Sequence, residues 1–470
     1  MTLSRLHLTH LAALCLALPA IAAAQPTAPA CAQTPQVCLD SLADLSTDAL
    51  RARRYGSELA LLKPLPQNDD RRTFMLGYQS DGLALYSRLD LPAAPAPDRG
   101  YPMVVLAPGW ISREQAPHWN FGADSASTHG AVIDAFARAG FAVITAGYRG
   151  RGTVDGVPAD GMEFRDAWGN GSYVSPIFYA IDVLNLLAGL DGLERLAWDR
   201  WMPANTTPPR FDLERVALWG HSQGGDVGLT TLAVAGNNPR YPRKIIAASL
   251  WCGNIPDRFT QADTFGAMAS TTQAFLSGDG TWTGSAQGRN GELNPDFIFP
   301  WPADWIGTLD TRSDAWTWQA EQWSTPTVAA ARRAKYTEMY AALNGYIRDM
   351  PAVGFTMGRD ASGRSTVRHA PPVAAIMPTL GGYHHAGFIE APLALHISDR
   401  DYYSLPTWNH DLAARINALG GRARVYIYPG NTHALRRSEH RWFSPEGTAP
   451  GAPVALARDK RLFREGRFAD

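Results

Sequence analysis

Residues 216–225 read Val-Ala-Leu-Trp-Gly220-His-Ser222-Gln-Gly224-Gly, and a helix-forming stretch follows as far as Ala235. No other feature constrains the fold as tightly. A serine framed as Gly-x-Ser-x-Gly, behind an apolar run and ahead of a helix, marks a sharp strand-to-helix turn with no room for side chains at 220 and 224. Such a turn lifts the hydroxyl clear of the strand and sets it against helix N–H groups that lack helical partners. A serine is a weak nucleophile at its own pKa, so this placement predicts a base and a carboxylate elsewhere in the chain.

The rest of the chain keeps the same rhythm. Short alternating runs at Thr73 to Tyr78 and Leu83 to Leu91 predict strands, as do the continuous apolar runs Met103 to Ala107 and Phe141 to Ala146. Further strands are expected at Arg215 to Trp219, Lys244 to Trp251, Ala391 to Ile397 and Arg422 to Tyr428. Helices are expected at Ala131 to Ala139, Ile177 to Leu190 (amphipathic), Gly224 to Ala235 and Trp408 to Leu419. Alternation of this kind gives an α/β fold with a mostly parallel sheet covered by helices on both faces. The rhythm defines a catalytic domain over 73–252 and 391–470, preceded by a leader over 25–72. The span 253–390 breaks it, carrying six tryptophans from Trp282 to Trp323 and a helix from Thr327 to Asp349 striped by Tyr336, Met339, Tyr340, Leu343 and Ile347. This reads as a lid inserted over the carboxyl ends of the strands.

The base and the acid should follow Ser222 in the order acid, then histidine, each just past a strand. His433 stands after Tyr428-Pro-Gly-Asn-Thr, in the place required of the base. Two carboxylates, Asp399 and Asp401, compete for the acid in His396-Ile-Ser-Asp-Arg-Asp; Asp401 is the better placed and Asp399 the alternative. His384, His385 and His396 read as lid or structural residues, with His384 and His385 also able to line the site. Negative charge on the substrate oxygen calls for two facing donors. The backbone N–H of Gln223 supplies one, and that of Trp110, in Pro108-Gly109-Trp110 after the Met103 to Ala107 strand, supplies the other.

These segments, with Gly147-Tyr-Arg-Gly-Arg-Gly152, Glu163-Phe-Arg-Asp-Ala-Trp-Gly169 and Asp212-Leu-Glu-Arg215, resemble the α/β-hydrolase superfamily. The likeness is strongest to the catalytic domain of prolyl-oligopeptidase-like serine hydrolases and covers about half the chain. It implies an α/β-hydrolase fold with a Ser-Asp-His triad and leaves the substrate unspecified. Several features depart from peptidases of that group. The segment ahead of the first strand is too short for a propeller. The tyrosine such peptidases offer to the oxyanion aligns with Ala107. The acid segment lacks a glycine after His396, and the stretch from Ser222 to Asp401 is unusually long. These departures favour a carboxylic-ester hydrolase over an aminopeptidase or amidase; the latter would need an acidic anchor for a substrate ammonium, for which Glu163, Asp166 and the lid acids are candidates. A non-catalytic binding protein on the same fold is the remote alternative. The aromatic lid points to a bulky or aromatic substrate.

Residues 1–24 carry Arg5 ahead of an apolar run and a small-x-small pattern at Ala22 and Ala24, as a cleavable signal peptide does, so a secreted or periplasmic protein without a stable membrane anchor is expected. In an oxidising compartment Cys31 and Cys38 should pair, closing a short loop worth about 2–3 kcal/mol, while Cys252 reads as a buried thiol. Lys and Arg total 43 against 44 Asp and Glu, too even a balance for a nucleic-acid partner. No spacing matches a metal site, no cofactor is expected, and the partner is a small-molecule ester. The basic tail Ala457 to Arg467 reads as a solvated helix. Oligomeric state is not legible.

Overall fold

The computed structural model describes residues 31–265 and 326–468, apart from positions 32, 68, 125–126, 203–206, 360, 362–364, 400, 402, 438–443 and 445. The signal segment and the tryptophans Trp282 to Trp323 lie outside the described residues. The strands in chain order are β1 (Ala60–Pro64), β2 (Arg71–Ser80), β3 (Leu83–Pro92), β4 (Tyr101–Ala107), β5 (Ala142–Ala146), β6 (Thr153–Val154), β7 (Val157–Pro158), β8 (Phe211–His221), β9 (Ala247–Trp251), β10 (Phe355–Arg359), β11 (Ser365–His369), β12 (Leu393–Ser398) and β13 (Ala423–Tyr428). Nine of them form one sheet in the order β1-β2-β3-β5-β4-β8-β9-β12-β13. β1, β2 and β3 pair antiparallel with each other and β3 with β5, whereas every neighbour from β5 to β13 is parallel.

The continuous apolar runs explain the layering. In β4 the side chains of Met103, Val105 and Ala107 enter one core, and those of Val104 and Leu106 enter the other. β8 divides likewise, with Val216 and Leu218 on one side and Ala217 and Trp219 on the opposite one. A strand with period-2 side chains and apolar residues at every position can only be covered on both faces.

The helices are α1 (Thr47–Ala52), α2 (Thr128–Arg138), α3 (Met162–Trp168), α4 (Ser175–Ala188), α5 (Gln223–Ala235), α6 (Pro326–Tyr346), α7 (Pro371–Ile376), α8 (Pro406–Ala418) and α9 (Ala452–Glu465). Val132, Ile133 and Phe136 of α2 join Leu462 and Phe463 of α9 in the core on one face. α4, α5 and α8 fill the other. Ser127 caps α2 by accepting from the Gly130 N–H at 3.0 Å.

Two expectations need correction, the amphipathicity of one helix and the solvated tail. The leader contributes β1 to the sheet edge, and Leu42, Leu45 and Leu50 belong to the main core. Its Cys31 and Cys38 are disulfide-bonded, and the Val37 carbonyl accepts from Trp168 Nε1 at 2.8 Å. α4 is not amphipathic, because residues Ser175 to Leu187 are all buried. α5 packs along it, α3 sets Phe164 and Trp168 against its Phe178, and the leader reaches its last turn, with Gly56 N–H donating to Asn185 Oδ1 at 3.1 Å. The predicted stripe of α6 is present and packs into the main core beside α3, while Lys335 and Glu338 of the same helix line a cavity at the strand ends. α9, finally, is not merely solvated. Its Asp459 is fully buried, accepting from Trp251 Nε1 at 2.8 Å and facing His396 Nε2 at 3.0 Å. A charge count along the tail does not reveal which side of the helix a lone aspartate occupies.

Candidate active site

The carboxyl ends of the parallel strands lie along one edge of the sheet, and the crevice where strand order reverses, beside β4 and β8, is where such folds open a site. β8 ends at His221, and Ser222 follows with φ 57° and ψ −123°. A side-chain-bearing residue held there stores about 1–3 kcal/mol of backbone strain. The glycines make room: a Cβ on Gly224 would collide with the Ala107 carbonyl, and one on Gly220 with the Gly224 carbonyl. The elbow is also tied down, Ser222 N–H donating to the Trp251 carbonyl at 3.0 Å and the Ser222 carbonyl accepting from Gly225 and Asn254 N–H at 2.8 and 3.1 Å.

His433 lies past β13 and Asp401 past β12. Asp401 Oδ2 and His433 Nδ1 are 2.7 Å apart. A carboxylate only accepts, so Nδ1 donates, and in the neutral imidazole it is then Nε2 that bears the lone pair. Asp401 is buried, and its Oδ1 accepts from Tyr403 and Ser404 N–H at 2.9 and 3.1 Å, which fixes the carboxylate plane. Asp399 does different work, accepting from Gly430 N–H at 2.6 Å and so holding the loop that carries His433. Of the two acids left open by the sequence, Asp401 is the one that meets the imidazole.

Ser222, Gln223, Trp110 and His433 line one cavity of about 630 Å³, together with Asn170, Tyr173, Asn254, Phe265, Tyr403 and others. Gln223 opens α5, so its N–H has no helical acceptor. Trp110 is 54% exposed at the cavity. Tyr173 and Phe265 stack at 6.2 Å between ring centroids, and Tyr403 packs edge-on against His433 at 5.1 Å. Tyr173 itself sits at φ 57°, so here a bulky residue is held, as Ser222 is, in left-handed backbone beside the cavity.

Two histidines flank the elbow. His221 Nε2 donates to the His433 carbonyl at 3.1 Å, joining the serine turn to the histidine loop. Burial, reinforced by the neighbouring His433 and His129, drives His221 well below its ordinary pKa. Burial, then the Arg151 charge, lowers His129 to about 4. Both are therefore neutral at pH 7.

Beneath the site, Asp226 forms a buried two-point pair with Arg258, at 2.5 and 2.6 Å. Cys252 is buried, and burial followed by the Asp401 carboxylate pushes its thiol well up. Cys252, Asp401 and His433 are the one grouping of three potential metal ligands among the described residues. Their geometry is that of a hydrogen bond instead: two ligands on a tetrahedral ion with bonds of about 2.0 Å stand about 3.3 Å apart, against 2.7 Å here.

His384, His385 and His396 do not line the cavity. His384 faces Asp257 at 3.6 Å, His385 the Gly381 carbonyl at 2.9 Å, and His396 is held between Asp459 and Tyr428. Asp166 pairs with Arg113 outside the cavity, and Glu163 is not on its wall either. Of the acids in the expected lid span, Glu338 of α6 does line the cavity, paired with Lys335 at 3.1 Å. Sequence reasoning missed Asn170, Asn254 and Tyr403; Asn254, just past β9, could have been found by asking what every parallel strand end delivers.

No protein-family model matches the chain, and no curated protein does. Solved structures similar to it include acetyl xylan esterase 1 from Thermoanaerobacterium sp., at 13% identity and TM-score 0.41, covering 85% of this chain and 92% of that one. Acylaminoacyl peptidase from Pyrococcus horikoshii matches at 14% identity and TM-score 0.40, over 84% of this chain and 41% of its own. Dipeptidyl peptidase 4 from Porphyromonas gingivalis matches at 13% identity and TM-score 0.41, over 88% and 36%. The chain thus spans well under half the length of either peptidase. Its own strand order, the strained serine elbow after β8, and the succession Ser222, Asp401, His433 past three parallel strands are those of the α/β-hydrolase fold.

Proposed function

We propose that this chain is a serine hydrolase that cleaves carboxylic esters through an acyl-enzyme. The observation that carries the reading is the meeting of a backbone-strained Ser222 and an Asp401-paired His433 on one cavity. Ser222 Oγ attacks the acyl carbon while His433 Nε2 takes its proton. The carbonyl oxygen becomes an oxyanion facing the Gln223 and Trp110 N–H groups. His433 then protonates the departing alcohol, and water, deprotonated by the same nitrogen, releases the acid and restores Ser222. Asp401 orients the imidazole and stabilises its cationic form.

The aromatic wall of Trp110, Tyr173, Phe265 and Tyr403 supports a bulky or aromatic group in the substrate. An aminopeptidase or amidase would need an acidic anchor for an ammonium. Glu338 is the carboxylate nearest that description, and its pairing with Lys335 favours the ester reading. The experiment is a matched panel of nitrophenyl esters of short, long and aromatic acids beside aminoacyl nitroanilides, with Ser222→Ala as the blank. Ester turnover alone supports the proposal; anilide turnover requiring a free amine overturns it in favour of a peptidase. We also infer export of the protein, directed by residues 1–24. Amino-terminal sequencing of the mature chain should then begin at Gln25.

A further inference from the structure

Gly147 to Gly152 carries two buried arginines, and they point to different tasks. Arg149 is bound to Asp182 of α4, with Nη2 and Oδ1 2.7 Å apart, which fastens the loop after β5 to its helix. Among the described residues Arg151 meets no carboxylate. Its Nη1 donates to the Gly109 carbonyl at 2.8 Å and its Nη2 to the Gln223 side-chain oxygen at 3.0 Å. The guanidinium lies over the Tyr148 and Tyr179 rings, at 4.5 and 4.9 Å from their centroids. One fork thus spans the two segments that carry the proposed oxyanion donors.

The peptide geometry gives this contact its meaning. The Gly109 carbonyl and the Trp110 N–H belong to one planar trans amide and point in opposite directions. A donor that holds the carbonyl oxygen on one side therefore aims the Trp110 N–H to the other. The Tyr148 hydroxyl, donating to the Pro108 carbonyl at 3.1 Å, holds the preceding peptide from the same loop. On the second segment, Gln223 is gripped through its side chain, its Nε2 donating onward to Asn170 Oδ1 at 2.8 Å. A cation on the carbonyl also polarises the amide and makes its N–H the stronger donor.

We propose that Arg151 is a positioning residue that sets the oxyanion hole by orienting the Gly109–Trp110 peptide and the start of α5 together. This rests on the reading of Ser222 as nucleophile. It accounts for a fully buried guanidinium without an acidic partner among the described residues, a placement whose desolvation cost a purely structural role would not require.

The test uses an aryl trifluoromethyl ketone. Ser222 Oγ adds to its carbonyl carbon, the serine proton passes to His433, and the C=O becomes a hemiketal oxyanion in the proposed hole. The ¹³C shift of the hemiketal carbon, followed against pH, reports how well that oxyanion is stabilised. In Arg151→Ala the hemiketal pKa should rise by at least one unit and kcat on a nitrophenyl ester should fall about 10²-fold, with KM changed less than threefold. Methylguanidinium added to the folded variant should restore part of kcat. Melting curves establish folding. Should Arg151→Ala fail to fold, Arg151→Lys carries the test, since one ammonium cannot hold both oxygens at fork geometry. A folded variant with the wild-type hemiketal pKa and kcat overturns the inference. Wild-type protein that forms no hemiketal overturns the nucleophile reading itself, a distinguishable result.

Discussion

Replacing Asp401 by asparagine changes one oxygen for an NH₂ group, and the structure says which way that group must face. Asp401 Oδ1 accepts from two backbone N–H groups, Tyr403 and Ser404, at 2.9 and 3.1 Å. An amide that turned its NH₂ toward them would lose both bonds, so its oxygen stays there and its NH₂ meets His433 Nδ1 at the 2.7 Å position. Two donors cannot share that contact. The imidazole changes tautomer, Nδ1 accepts, and Nε2 now carries a proton where the serine needs a base. A tautomer trap of this kind lowers kcat by about 10⁴-fold, or about 5 kcal/mol at 1.36 kcal/mol per decade, with little change in KM. Asp399→Asn is the control. Its carbonyl oxygen can still accept from Gly430 N–H, so it should cost about 1 kcal/mol of stability and leave kcat within a few-fold. Steady-state kinetics on a nitrophenyl ester, with melting curves for each variant, decide the matter. Asp401→Asn within tenfold of wild type, with Asp399→Asn down three decades, would move the acid to Asp399.

Asp226→Asn leaves the buried Arg258 without its counter-charge and should destabilise the fold by about 3–5 kcal/mol, read by urea unfolding. Cys252, fully buried with its thiol pushed up, should resist alkylation in the native protein and react only in denaturant, checked by mass shift. His129 has a folded pKa of about 4 against about 6.5 unfolded. The unfolded chain therefore takes up the proton first, so the stability His129 contributes is complete above about pH 6.5 and is lost as pH falls toward 4. Unfolding free energies measured across that range should show a shallower slope in His129→Gln than in wild type.

The parallel half of the fold was legible because apolar runs such as Met103 to Ala107 admit one environment only. The serine elbow and His433 were legible because local glycine chemistry and chain order leave them few places to be. Asp401 against Asp399 was not, since both follow the same strand and only the peptide path beyond Ser398 decides which carboxylate turns inward. Tertiary cover erased the expected amphipathicity of α4: α5, α3 and the sheet surround it, and the leader reaches its last turn. Arg151 was visible as a residue of the Gly147–Gly152 segment, but its acceptors, Gly109 and Gln223, are far away in sequence, and no spacing rule joins them. Asn170, Asn254 and Tyr403 come from three separate connections and converge only when the sheet edge is assembled.

If Ser222 is an activated nucleophile, as proposed, it reacts covalently with an electrophilic phosphonate. The protein is treated with a fluorophosphonate, digested, and searched by mass spectrometry for the phosphonylated peptide. A single stoichiometric adduct on Ser222 is expected, absent in Ser222→Ala and strongly slowed in Asp401→Asn. No adduct on the native protein, or an adduct on another serine that survives Ser222→Ala, would contradict the proposal.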